Sequence, residues 1–325
     1  MGLNLRSSPL AWIRKSNAID FGGARIQNSS LNQIPGQTYF VSRNVLASGD
    51  GKSWTTAFKT LGEAIKAVND AYTDGFANAS VPNRGRNTLI LIDEGWYGEI
   101  PLVLTANDCT IESAAPGHHD STVLYGSATG GGFDITSGGP ALSIRGNNCS
   151  IIGLGMFTHD VLYPSLRIGG NASDADGLGV STVVGNAVIG CSFIRDVADG
   201  SLGGILDYQA DGSLIEGCFF STSCKDYGVR YATNGVINPV NPVAQFNRIV
   251  GAPTGFQQDA GHNAFYYNNF FFDDTSDRAD TCDTPIVIDA TSGQAWNNYA
   301  QGVAAANVVT GNGTILEVRN WGSDS

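Results

Sequence analysis

A short unit keeps returning in this chain from about residue 88 to the end: an apolar strand, a corner marked by glycine or asparagine, and a second strand. Its clearest pair is Ile189-Gly190-Cys191-Ser192-Phe193 and Ile215-Glu216-Gly217-Cys218-Phe219-Phe220, with Cys191 and Cys218 27 residues apart. Recurrence at a period of about 20 to 50 residues marks a solenoid, because one such unit cannot bury its apolar face alone and must stack on its neighbours. Built from strands, a period of this length corresponds to one turn of a coiled parallel sheet. The predicted class is all-β, a right-handed parallel β-helix. Cys109 and Cys149 stand 40 residues apart, a spacing read as two short coils. After Cys218 the corner passes to asparagine, in Phe246-Asn247, Asn268-Asn269 and Asn297-Asn298, and stacked amides there predict a hydrogen-bonded ladder along the axis.

Composition agrees with many tight corners and a large core: 42 glycines, 42% apolar residues and only 15% charged residues in 325. The net charge of −12 argues against nucleic acid as a partner, since phosphate binding needs clustered Lys and Arg. None of the six cysteines forms a CxxC pair and no histidine stands at ligand spacing, so buried, reduced thiols are expected rather than zinc or a disulfide framework. No stretch approaches the roughly 18 apolar residues of a membrane span, and no apolar leader opens the chain, which predicts folding in a cytoplasm.

Residues 1–37 differ from the rest. They carry Arg6, Arg14, Lys15 and Arg25 against Asp20, with Leu10, Trp12, Ile13, Ile19 and Phe21 too apolar for a solvated tail. This reads as a docking arm in which Arg6, Trp12, Ile13, Arg14 and Lys15 make the contact, ahead of a β-helix over 38–325. One helix is predicted, at about 54–74. Thr60 with Glu63 forms a capping box, and Leu61, Ala64, Ile65 and Val68 share one face. Its apolar stripe suits a cap on the open first coil, whose strand edges must be covered.

Tyr39-Phe40-Val41-Ser42, Gly49-Asp50-Gly51-Lys52-Ser53-Trp54 and Ala57-Phe58-Lys59-Thr60-Leu61, with Glu63-Ala64-Ile65, together resemble the N-terminal module of right-handed β-helix proteins of the pectin-lyase-like superfamily. Leu89–Asp93 followed by Gly95-Trp96-Tyr97 continues the likeness. The resemblance covers residues 39 to about 100 and implies the fold. It leaves activity open, because the same module heads lyases, hydrolases, epimerases and many phage spikes and decorations.

Chemistry has few candidates. Carried eight residues past Cys191 and Cys218, the repeat places Asp199 and Asp226 one coil apart, near the ~5 Å separation of a retaining glycosidase pair, with Asp207 or Asp211 for a wider geometry. Asp273, Asp274, Asp277, Asp280 and Asp283 crowd one segment, and Ca²⁺ is the cation such oxygen ligands would hold. No family signature surrounds Arg167, Arg195, Arg230 or Arg248, and no histidine has a nucleophile beside it. In Phe265-Tyr266-Tyr267 and Phe270-Phe271-Phe272 half the rings must point outwards. Tyr266, Phe270 and Phe272 are taken as that outward set, for a protein contact first and sugar stacking second. The resulting expectation is a structural protein of a bacteriophage virion, made in the host cytoplasm. It would be a head decoration or tail appendage joined to other virion proteins by its arm, with monomer and homotrimer both open as its assembly. A tailspike-like glycan depolymerase and a cell-surface glycan adhesin are the alternatives.

Overall fold

The computed structural model describes residues 37–77, 88–99, 102–114, 122–126, 139–158, 162–171, 179–193, 201–221, 224–236, 238–272, 282–289, 292–301, 307–312, 314–318 and 320–323. The arm residues Arg6, Trp12, Ile13, Arg14 and Lys15 lie outside them.

The described strands form three all-parallel sheets of ten, nine and eight strands. The chain gives one strand to each in turn: Ala187–Ile189 to the ten-stranded sheet, Ser192–Phe193 to the nine-stranded sheet and Ser201–Asp207 to the eight-stranded sheet. It then returns with Leu214–Glu216. This is a right-handed parallel β-helix, as the repeat predicts. Val188 pairs with Ile215, so the coil there is 27 residues long. The cysteine spacing of 40 is a different matter. Ile111 pairs directly with Ile151, which makes the distance from Cys109 to Cys149 one long coil and not two short ones. Strand pairing fixes the register of the sheets, while a connection such as that between Thr122–Gly126 and Leu142–Ile144 absorbs extra length.

Inside, one column of the ten-stranded sheet reads Ile90, Ile111, Ile151, Val188, Ile215, Ala244, Tyr266 and Ala295, every member buried. Phe193 and Phe220 stack face to face at 4.8 Å, the rise of one coil. The eight-stranded sheet keeps glycine opposite such rings. A Cβ at Gly204 would meet Phe220 at 2.6 Å, and one at Gly255 would meet Phe271 at 2.3 Å. Each buried ring contributes about 2–3 kcal/mol of transfer free energy, so these glycines are conditions of the packing.

The helix is Leu61–Ala77, preceded by a single 3-10 turn at Trp54–Thr56. The capping box forms: Thr60 N donates to Glu63 Oε2 at 3.1 Å, and Glu63 N donates to Thr60 Oγ1 at 3.2 Å. Glu99 accepts the Leu61 and Gly62 amides at 2.6 Å each, although burial pushes its carboxyl up. Leu61, Ala64, Ile65 and Val68 are buried in the common core, and the helix touches the opening strands of all three sheets. It caps the first coil, as its apolar stripe requires.

The corner from the ten- to the nine-stranded sheet repeats one backbone shape. Gly153, Gly190, Gly217, Phe246, Asn268 and Asn297 all have φ between 52° and 68°. Glycine and asparagine suit that left-handed region; Phe246 does not. The next residue turns inwards. Cys191 and Cys218 fill the place with thiols that donate to carbonyls of the coil below, at 3.6 Å to Ile151 O and 3.5 Å to Val188 O. Above them Asn247, Asn269, Asn298 and Asn320 link amide to amide, each Nδ2 donating to the next Oδ1 at 3.0 Å. The expected asparagine ladder is present. All six cysteines are buried and no two form a disulfide; burial holds Cys149 and Cys224 up to about 12 and Cys218 well above its ordinary value.

Candidate functional site

The first residue after each inward Cys or Asn must face outwards, because successive side chains of a strand alternate. On the nine-stranded sheet these residues are Ser192, Phe219, Arg248, Phe270, Tyr299 and Trp321, paired rung on rung. From Phe219 onwards they make a column of rings interrupted by one guanidinium. Phe270 is 45% exposed and Trp321 52%. Arg248 lies 5.5 Å from the Phe219 ring centre and 4.9 Å from that of Phe272, which stands beside it in the next outward column. Cation–π contacts of this kind hold the long arginine side chain flat on the sheet. Phe272 also meets Tyr299, ring centres 6.4 Å apart.

The aromatic surface continues round the corner. Tyr267 pairs with Trp296 on the ten-stranded sheet, and Phe246 sets its ring edge-on to Tyr267 at 6.4 Å. Phe246 is 41% exposed and Trp296 36%. A bulky residue in the left-handed region costs about 1–3 kcal/mol. The coil below puts glycine at that position and the coil above puts asparagine, so the exposed ring is kept against a local penalty.

Of the outward set expected from sequence, Phe270 and Phe272 stand on this surface. Tyr266 does not: it is 1% exposed and points into the core. Its rung neighbours below and above are Ala244 and Ala295, and these two small side chains leave room for the ring. Phe265 and Tyr267 take the outward places instead.

The carboxylates do not assemble as the repeat suggested. Ser192 pairs with Phe219 at the 27-residue spacing, yet Ser201 pairs with Cys224, only 23 residues on. The 27-residue count therefore does not extend to Cys224–Tyr231, the strand that carries Asp226. Asp199 itself lies outside the described residues, as do Asp273, Asp274, Asp277 and Asp280. Asp226 is exposed on its strand. Asp207 is fully buried, and its rung partner is Tyr231, five residues along from Asp226, so the two acids are about 16 Å apart. That is too far for a glycosidase pair. Burial pushes the Asp207 carboxyl up to about 6, against hydrogen bonds from Ser213 and Gln209 that lower it. Asp211 is exposed and accepts from Asn241 Nδ2 at 2.9 Å. Among the described residues no three His, Cys, Asp or Glu gather as a metal site. His262 is exposed at a corner, bridged through its backbone to Val240.

No protein-family profile matches the chain, and no curated protein matches it in sequence. Solved structures do. A pectate lyase, Pel9A, is 13% identical over 90% of this chain and 82% of its own, with a TM-score of 0.38. A pectin methylesterase from Aspergillus niger is 12% identical over 90% and 88%, with a TM-score of 0.39. A protein of Geobacillus virus E2, ORF18, is 12% identical over 97% of this chain and 64% of its own, with a TM-score of 0.31.

Proposed function

We propose that this chain is a structural protein of a bacteriophage particle, a rod displayed on the outside as a head decoration or tail appendage. Residues 1–37 anchor it to other virion proteins, and its last coils associate side by side into a homotrimer. The observation that carries this reading is the aromatic–arginine surface from Phe219 to Trp321, repeated rung by rung on a stiff ladder and open to contact. Adjacent exposed rings with few charges are the composition of a protein contact rather than of a solvated face. The basic, apolar arm and the N-terminal module shared with many phage appendages point the same way.

Antibody raised to residues 38–325, applied with gold to particles from the source culture, tests the placement. Label over heads or tail tips supports it; particles without label overturn it.

A second reading has one observation in its favour. Phe246, held exposed in a costly conformation, extends the rings into a flat band suited to stacking on sugar faces. Under this reading the rod grips a cell-surface glycan. Binding of glycan by the purified chain without new reducing ends would select it, and new reducing ends would revive a depolymerase.

A further inference from the structure

The last inward position of the eight-stranded sheet changes character along the axis. It reads Leu104, Ile144 and Ile168, then Asp207, Tyr231 and Gln258, then Ile288. Asp207, Tyr231 and Gln258 are 0% exposed and sit on successive rungs, about 4.8 Å apart. Across the corner Ser213 and Tyr266 face the same space, both buried, with the Tyr231 and Tyr266 ring centres 6.2 Å apart. Asp207 accepts from Gln209 N at 2.8 Å and Gln209 Nε2 at 3.0 Å. Ser213 Oγ lies beside Asp207 and Tyr231 without a well-formed hydrogen bond to either, and Tyr231 Oη, Tyr266 Oη and Gln258 Oε1 have no well-formed hydrogen bond. Buried polar atoms left without a well-formed hydrogen bond are costly in a packed core, at about 1–3 kcal/mol each.

We propose that these oxygens form an internal binding site for one monovalent metal cation, seated between Asp207, Ser213, Tyr231 and Tyr266. The donor set is all oxygen, which selects a hard ion. It carries a single negative charge, so a monovalent ion leaves the interior neutral and a divalent one does not. Water alone would satisfy the hydroxyls but leave an ionised Asp207 without a counter-charge. The titratable groups felt at Asp207, Tyr231 and Tyr266 are one another, Cys218 and Asp259; no basic side chain is among them. The nearby Arg230 is turned to Asp259, at 2.6 Å.

The test is thermal unfolding of the full chain at pH 8 in choline chloride, with NaCl or KCl replacing it at constant ionic strength. One alkali cation is expected to raise Tm saturably, by about 2–6 °C. The rise should vanish in the near-isosteric Asp207→Asn and shrink in Tyr266→Phe. Equal Tm in all three salts, or an unchanged rise in Asp207→Asn, overturns the site. Crystals of the wild-type chain grown with thallium(I) give a readout that needs no variant: an anomalous peak beside Asp207 supports the proposal, and water density without one refutes it.

Discussion

The earlier and later coils of this rod share one backbone and differ in several columns of side chains. At the corner after the ten-stranded sheet, thiols at Cys191 and Cys218 give way to amides at Asn247, Asn269, Asn298 and Asn320. On the outer face of the nine-stranded sheet, the small, buried Gly155 and Ser192 give way to Phe219, Arg248, Phe270, Tyr299 and Trp321. At the last inward position of the eight-stranded sheet, aliphatic residues give way to Asp207, Tyr231 and Gln258 and return at Ile288. The geometry of a coil thus dictates which positions turn in or out, and chemistry is free to change within that frame. The later coils use this freedom twice, once for rigidity and once for display.

Breaking the amide ladder should have the largest effect. Asn269 makes all four of its side-chain hydrogen bonds, donating to Ala244 O and Asn298 Oδ1 and accepting from the backbone and side chain of Asn247. Asn269→Ala strands partners on both sides and should cost about 4 kcal/mol in urea unfolding. Cys191→Ala removes only a small buried group and weak sulfur bonds, so its cost should be about 1–2 kcal/mol. Equal losses would mean that the two halves of the corner are held alike.

Next comes the buried acid. With its carboxyl raised to about 6, Asp207 binds a proton more tightly in the folded chain than in the unfolded one. Its contribution to stability is full below the unfolded value near 4 and is lost as pH rises through about 6, by up to ~3 kcal/mol. The difference in stability between wild type and Asp207→Asn, followed from pH 4 to pH 7 in choline chloride, should trace that fall. A flat difference would show that the carboxyl is not perturbed.

Smaller and of opposite sign is Phe246→Gly, which relieves the left-handed strain and should stabilise by about 1 kcal/mol. A destabilised variant would mean that the ring's packing on Tyr267 outweighs the strain. Phe270→Ala and Trp321→Ala remove half-exposed rings and should shift the stability of the single chain, measured by unfolding at dilutions below assembly, by no more than about 0.5 kcal/mol each.

Much of this frame was legible in the sequence. The 27-residue recurrence located the coil, Cys and Asn marked the corner, and the capping box stands at the true helix start, although the helix was expected from about residue 54. What failed depended on neighbours one coil away. Tyr266 was expected outside because its own segment is aromatic throughout, yet its place is set by Ala244 and Ala295, which lie in other coils. For Asp226 the count that held from Cys191 to Cys218 does not carry on to its own strand, and Asp199 lies outside the described residues. The connection before Cys224 is shorter than the one before Ser201, and the count ends there. The outward column itself was readable: each member directly follows a ladder residue, and Trp321 after Asn320 obeys the same rule as Phe270 after Asn269.

The most direct measurement is the solution mass of the chain by light scattering, beside the Phe270→Ala/Trp321→Ala double variant. The expected result is a wild-type particle of about three times the 34.1 kDa chain, and a folded variant that falls to single-chain mass. A wild-type chain that stays monomeric at every concentration, or a variant that remains trimeric, would contradict lateral assembly through the aromatic surface.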